Sequence, residues 1–140
     1  MKIFRKKKKL KTVIDLLQKI YDDKFKLNEL FSVMILRDNT NDIQILHSGL
    51  LNKLGLSDNN EFGYLIIIPF DKQKSQYLNK FKESRFVNIF SILKKDEENE
   101  DYYYNCNLDI QLAEKLCFEI CDEIYDYNNQ TKFEFQFLYY

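Results

Sequence analysis

Apolar positions recur along this chain with two periods, and the changes from one to the other outline its elements. Val13, Leu16, Leu17, Ile20 and Tyr21 fall at i, i+3, i+4, i+7 and i+8 while Asp15, Gln18, Lys19 and Asp22 take the other side, which predicts a helix from about residue 8 to 22. Residues 30–37 and 42–47 are short, β-branched and apolar, joined by the polar turn Asp38-Asn39-Thr40-Asn41, and so predict a hairpin. In 49–56, Gly55 stands where a one- or two-turn helix needs a left-handed C′ residue, with Leu56 folding back on Leu51. The unbroken apolar run 62–70, with three isoleucines, predicts a central strand covered on both faces and ended by Pro69, which has no N–H for a ladder.

The second half continues in the same way. Asp71 is placed to cap a mostly polar helix reaching about Glu83. A strand over 86–93, an acidic turn at 96–101 and a strand through Tyr102, Tyr103 and Tyr104 form a second expected hairpin. Ile110, Ala113, Cys117, Ile120, Cys121 and Ile124 share one face of a helix from about 108 to 126, with Asn107 and Asp109 as N-terminal cap and anion. After Asn128-Asn129, Phe133, Phe135, Phe137 and Tyr139 alternate with Glu134, Gln136, Leu138 and Tyr140, a strand. The order α-β-β-(α)-β-α-β-β-α-β, with hairpins in place of crossovers, predicts an α+β fold. Its mostly antiparallel sheet of about five or six strands would be packed by an N-terminal and a C-terminal amphipathic helix. If the last strand lay at the sheet's edge, it would offer a homodimer interface.

Length and composition fit this picture. A chain of 140 residues, 45% hydrophobic, 16% aromatic and 31% charged, predicts one globular domain over 1–140 with an aromatic core, not a disordered or disulfide-stapled chain. Three cysteines, Cys106, Cys117 and Cys121, without framework spacing, point to a reducing compartment. The basic start is followed by Asp15, Lys19, Asp22 and Asp23 before any apolar signal core could form, and the longest apolar run is too short to span a bilayer; the expected location is cytoplasmic.

Charge changes the picture more. The net charge of −1 conceals seven cations and no anion in residues 1–11, and eleven anions against Lys115 alone in residues 96–126. Segregation of this kind bears on partners and encounter rates. Residues 1–9 read as a basic arm with room for disorder, and residues 2–11, through Lys2, Arg5, Lys6, Lys7, Lys8, Lys9 and Lys11, as a potential contact for nucleic acid or an anionic membrane.

Catalytic chemistry finds little to stand on. His47 is the sole imidazole, and Ser48 beside it would point to the opposite face of a strand. Cys117 and Cys121 lie on a core stripe, not in metal-binding knuckles, so the three thiols are expected in the core. The stretch from Asp38 to Asp42 opens like a calcium loop, but Ile43 stands where glycine is needed and Gly49 where a bidentate carboxylate is needed. No phosphate-binding glycine loop occurs. The expectation is a non-enzyme without metal or cofactor.

The acidic stretch remains. Glu97, Glu98, Glu100 and Asp101 with Tyr102 and Tyr104, together with Glu119, Asp122, Glu123 and Asp126 on the last helix, are expected to form a face that docks a basic protein. Small immunity proteins and secretion chaperones work this way, an analogy of size, charge and build. Anions at Asp122, Glu123 and Asp126 also oppose the helix macrodipole, as functional surfaces often do.

Overall fold

The computed structural model describes the backbone of residues 3–9, 15, 31–37, 40–47, 63–71, 75–107, 109–127 and 132–139, and the side chains of 15, 42–46, 63–71, 75–107 and 109–127. Among the described residues seven strands make one sheet: β1 (Ile3–Lys9), β2 (Phe31–Arg37), β3 (Thr40–His47), β4 (Tyr64–Asp71), β5 (Ser91–Lys95), β6 (Asn99–Asn105) and β7 (Lys132–Tyr139). Their order is β1-β7-β2-β3-β4-β6-β5, and every adjacent pair is antiparallel. Helix α1 (Ser75–Glu83) and a 3-10 turn at Arg85–Asn88 lie between β4 and β5; helix α2 (Ile110–Glu123) lies between β6 and β7.

The α+β class and both hairpins agree with the sequence pattern, whereas the strand count and the first element do not. Residues 3–9 are a strand paired along β7, so Lys8 and Lys9 belong to β1 and not to a helix. Five adjacent cations suit a sheet's rim, where charge discourages further pairing. Of the helix expected over 8–22, Asp15 is helical and exposed; its other positions from 10 onward, and the helical turn over 49–56, lie outside the described residues. The last strand, β7, is an interior strand between β1 and β2, so its backbone is paired on both sides and presents no edge for a homodimer.

Strand β4 is buried on both faces, as its unbroken apolar run predicts. Tyr64, Ile66, Ile68 and Phe70 join Ile43 and Ile45 under Leu78 and Phe81 of α1 and Ala113, Leu116, Cys117, Ile120 and Cys121 of α2. Leu65 and Ile67 point the other way and pack with Leu46, against Leu93 and Tyr103. Each such aliphatic side chain contributes about 1.5–3 kcal/mol by leaving water. Pro69 ends only one of β4's two ladders. Pairing with β3 stops at Ile67, but pairing with β6 continues to Asp71 opposite Asn99. Asp71 therefore closes a strand, and α1 begins at Ser75.

The strand expected over 86–93 begins later, at Ser91. Ser84 accepts a hydrogen bond from the Phe86 N–H and starts a helical turn, which Phe90 N–H closes onto the Phe86 carbonyl at 2.9 Å. Phe86 and Phe90 both belong to the core that holds Phe81. An extended chain would hold them about 13 Å apart, whereas the turn sets their rings 6.3 Å apart, with Phe90 5.8 Å from Phe81.

Gly63 marks the entry to β4. A Cβ there would lie 2.5 Å from Asn107 Cα and 2.7 Å from the Asn107 carbonyl, because the Tyr64 N–H donates to that carbonyl at 2.7 Å. Asn107 itself takes a left-handed φ of 52° and donates its N–H to the Asn105 side chain. The cap of α2 is Asp109, which accepts from the Leu112 N–H at 3.0 Å, and not Asn107; Asp109 thus stands before the first turn and is not an anion within it.

Candidate functional site

The acidic positions named from sequence divide into three environments. On β6, Glu100 and Tyr102 sit two residues apart, hence on one face, and that face is the one α1 covers. Both are buried, Glu100 at 1% exposure, so neither belongs to a docking surface. The Tyr102 hydroxyl donates to Glu100 Oε2 at 2.5 Å, while Lys82 of α1 and Lys95 of β5 approach the carboxylate at 3.3 and 3.6 Å. Burial pushes the Glu100 carboxyl up, but the hydroxyl and the two ammonium groups outweigh it and hold it below the ordinary value. The same burial, reinforced by the carboxylate, pushes Tyr102 up to about 12.

Along α2, Glu119 and Glu123 face Arg85, whose Nη2 donates to Glu119 Oε2 and Glu123 Oε2, each at 2.7 Å, while its Nε reaches Glu123 Oε1 at 3.3 Å. The guanidinium also stacks 4.5 Å over the Phe86 ring. Lys80 meets Asp126 at 2.7 Å. The breach of the macrodipole rule is thereby answered: α2 has no cation in its last turn, and α1 with the 3-10 turn supplies cations across space. Arg85 lowers the Glu123 pKa through these hydrogen bonds.

The third environment is solvent. Asp96 accepts from the N–H groups of Glu98 and Asn99 at 2.8 Å each, which lowers its pKa and shapes the β5–β6 turn. Glu97 and Glu98 project from this turn, and Asp122 from α2, exposed and with no ion pair among the described residues. Tyr103 and Tyr104 are half-buried farther along β6, on opposite faces of the sheet. Asp101, also half-buried, keeps Oδ1 without a hydrogen bond, and burial pushes its carboxyl up against the pull of Lys94. Ile92 on the edge strand β5 is 55% exposed, and Phe118 on α2 is exposed as well.

The cations that sort the acidic residues, Lys80, Lys82 and Arg85, escaped the sequence reading because their partners lie 18 to 46 positions away. The burial of Glu100 had a signal: it shares the two-residue period of Tyr102 and Tyr104. A second buried polar cluster had none. Asp42, 3% exposed, is the extra residue of a bulge in β3, where the register against β2 passes from Ile43 to Asn41. Its carboxylate accepts from the Tyr127 hydroxyl and its carbonyl from the Tyr125 hydroxyl at 2.9 Å, with the two rings stacked.

His47 ends β3 opposite Tyr64. The three cysteines are free and buried; burial pushes Cys106 up to about 12 and Cys117 well above the ordinary thiol value. Among the described residues no group of three His, Cys, Asp or Glu side chains is arranged to hold a metal ion, and no helix is long and apolar enough to cross a membrane. No family model, curated protein or solved structure matches the chain.

Proposed function

We propose that this chain is a non-catalytic binding domain that docks a cationic protein on the exposed carboxylates of the β5–β6 turn and the outer side of α2. One observation carries the reading: Glu97, Glu98 and Asp122 remain exposed and unpaired among the described residues, while neighbouring Glu100, Glu119, Glu123 and Asp126 each have an internal cation. Carboxylates held ready for an outside charge accelerate encounter, and the half-buried Tyr104 with exposed Phe118 adds apolar area. The ten positions expected from sequence thus reduce to a smaller contact set.

The full chain, immobilised and exposed to native extract, is expected to retain a basic protein in stoichiometric amount and to release it as salt rises. Joint replacement Glu97→Gln, Glu98→Gln and Asp122→Asn is expected to weaken retention by about tenfold or more. Equal retention by that variant, or no stoichiometric protein, refutes the reading. A second reading, nucleic acid or an anionic membrane bound through residues 2–11, draws on the placement of five cations along the edge strand β1. It requires binding that falls steeply with salt and vanishes when those cations are neutralised.

A further inference from the structure

Helix α2 carries one cation site that the chain fills and the parts of another that it leaves open. The filled one lies on the flank toward α1. There Arg85 lays its guanidinium 4.5 Å over the Phe86 ring and donates from Nη2 to Glu119 Oε2 and Glu123 Oε2 at 2.7 Å each. Ring and carboxylate hold an arginine together, the ring taking the plane of the group and the carboxylate its N–H fork. On the outer flank stands Phe118, 37% exposed. Glu114 and Asp122 lie at i−4 and i+4 from it, hence one turn away along the same flank and about 6 Å from it. Among the described residues neither carboxylate has an ion pair and no cation lies over the Phe118 ring. Lys115, the sole cation of α2, reaches Glu119 at 3.9 Å, toward the Arg85 flank.

We propose that Phe118, with Glu114 and Asp122, anchors an arginine side chain of the cationic partner, the guanidinium lying on the ring and meeting one of the two carboxylates as Arg85 does on the opposite flank. The inference rests on the proposed docking of a cationic protein and names the residue type that this docking selects. Two carboxylates against Lys115 leave the flank negative, so an acidic or purely apolar partner covering Phe118 would desolvate anions without pairing them. Arginine suits the arrangement better than lysine, because its guanidinium is planar, stacks on rings and is more weakly hydrated than an ammonium group.

Chemical-shift titration of the unaltered chain at low ionic strength tests it, with blocked hexapeptides that alternate alanine with one basic residue. The arginine peptide is expected to shift the Phe118 ring protons and the amides of Glu114 and Asp122, to bind about two- to fivefold more tightly than the lysine peptide, and to be released as salt rises. Its citrulline counterpart, similar in shape but uncharged, is expected not to bind. Phe118→Leu, which keeps exposed apolar area, is expected to remove the preference for arginine over lysine, and Phe118→Tyr to keep it. No shift at Phe118, equal binding of the arginine and lysine peptides, or a preference that survives Phe118→Leu overturns the proposal. The peptide comparison in the unaltered chain decides it even if a variant does not fold. A basic protein retained from extract equally by wild type and Phe118→Leu leaves the docking standing and removes this anchor, whereas an arginine peptide held at Phe118 with no basic protein retained removes the docking reading alone.

Discussion

Glu100 illustrates how position overrides type. In the sequence it is one of five anions in six residues and looks like surface; in the fold it lies beneath α1 between Lys82, Lys95 and the Tyr102 hydroxyl. Its carboxyl titrates below the ordinary 4.5, so the folded state favours the ionised form. That contribution is complete above the unfolded value and disappears as pH falls through the depressed folded one. Glu100→Gln, which removes a buried charge held by the Tyr102 hydroxyl and by two half-exposed ammonium groups, is expected to cost about 1.5–3 kcal/mol at pH 7, and the gap to wild type is expected to be smaller at a pH below the ordinary 4.5. Urea unfolding at the two pH values measures it; a constant offset would sink the assignment. Asp96 and Glu123, also lowered, weaken both proteins alike in acid, so the difference isolates Glu100.

Among the elements, β3 and β4 carry the least foreseeable feature. Tyr64 turns both its N–H and its carbonyl toward β6, and alternation from there points position 69 at β3, opposite Asp42 in the register that pairs Gln44 with Ile67. Proline offers no N–H at that point, and the Tyr125 hydroxyl from the end of α2 supplies the missing donor to the Asp42 carbonyl. Tyr125→Phe is expected to cost about 1–2 kcal/mol in the wild-type background and clearly less in Pro69→Val, where the ladder donor returns. A double-mutant cycle reads the coupling, and strict additivity would show that Pro69 and Tyr125 are unrelated. Long periodic elements such as α2 and β4 were legible because one side of each faces a single environment. The turn at Arg85–Asn88 was not, since its residues suit a strand and only contact with Phe81 makes the turn worthwhile.

For the whole molecule, the three cysteines report on the core. Cys106, Cys117 and Cys121 are buried where α2 meets the sheet, and burial keeps Cys106 and Cys117 protonated well above neutral pH. A thiol-exchange reagent at pH 8 is expected to react with the native chain roughly a thousandfold more slowly than with the unfolded one, because exposure needs opening of the core. Rapid labelling of any of the three in the native protein would contradict the packing. By itself the sequence determined the α+β class, both hairpins, the double burial of β4 and the core role of the cysteines, all consequences of local period and of which groups avoid water. Only the tertiary structure decided that the basic start is an edge strand, that β7 is interior, and which carboxylates meet Lys80, Lys82, Lys95 and Arg85. Strand order and ion pairing depend on residues brought together from far apart in the chain, and no local pattern records which distant partner will arrive.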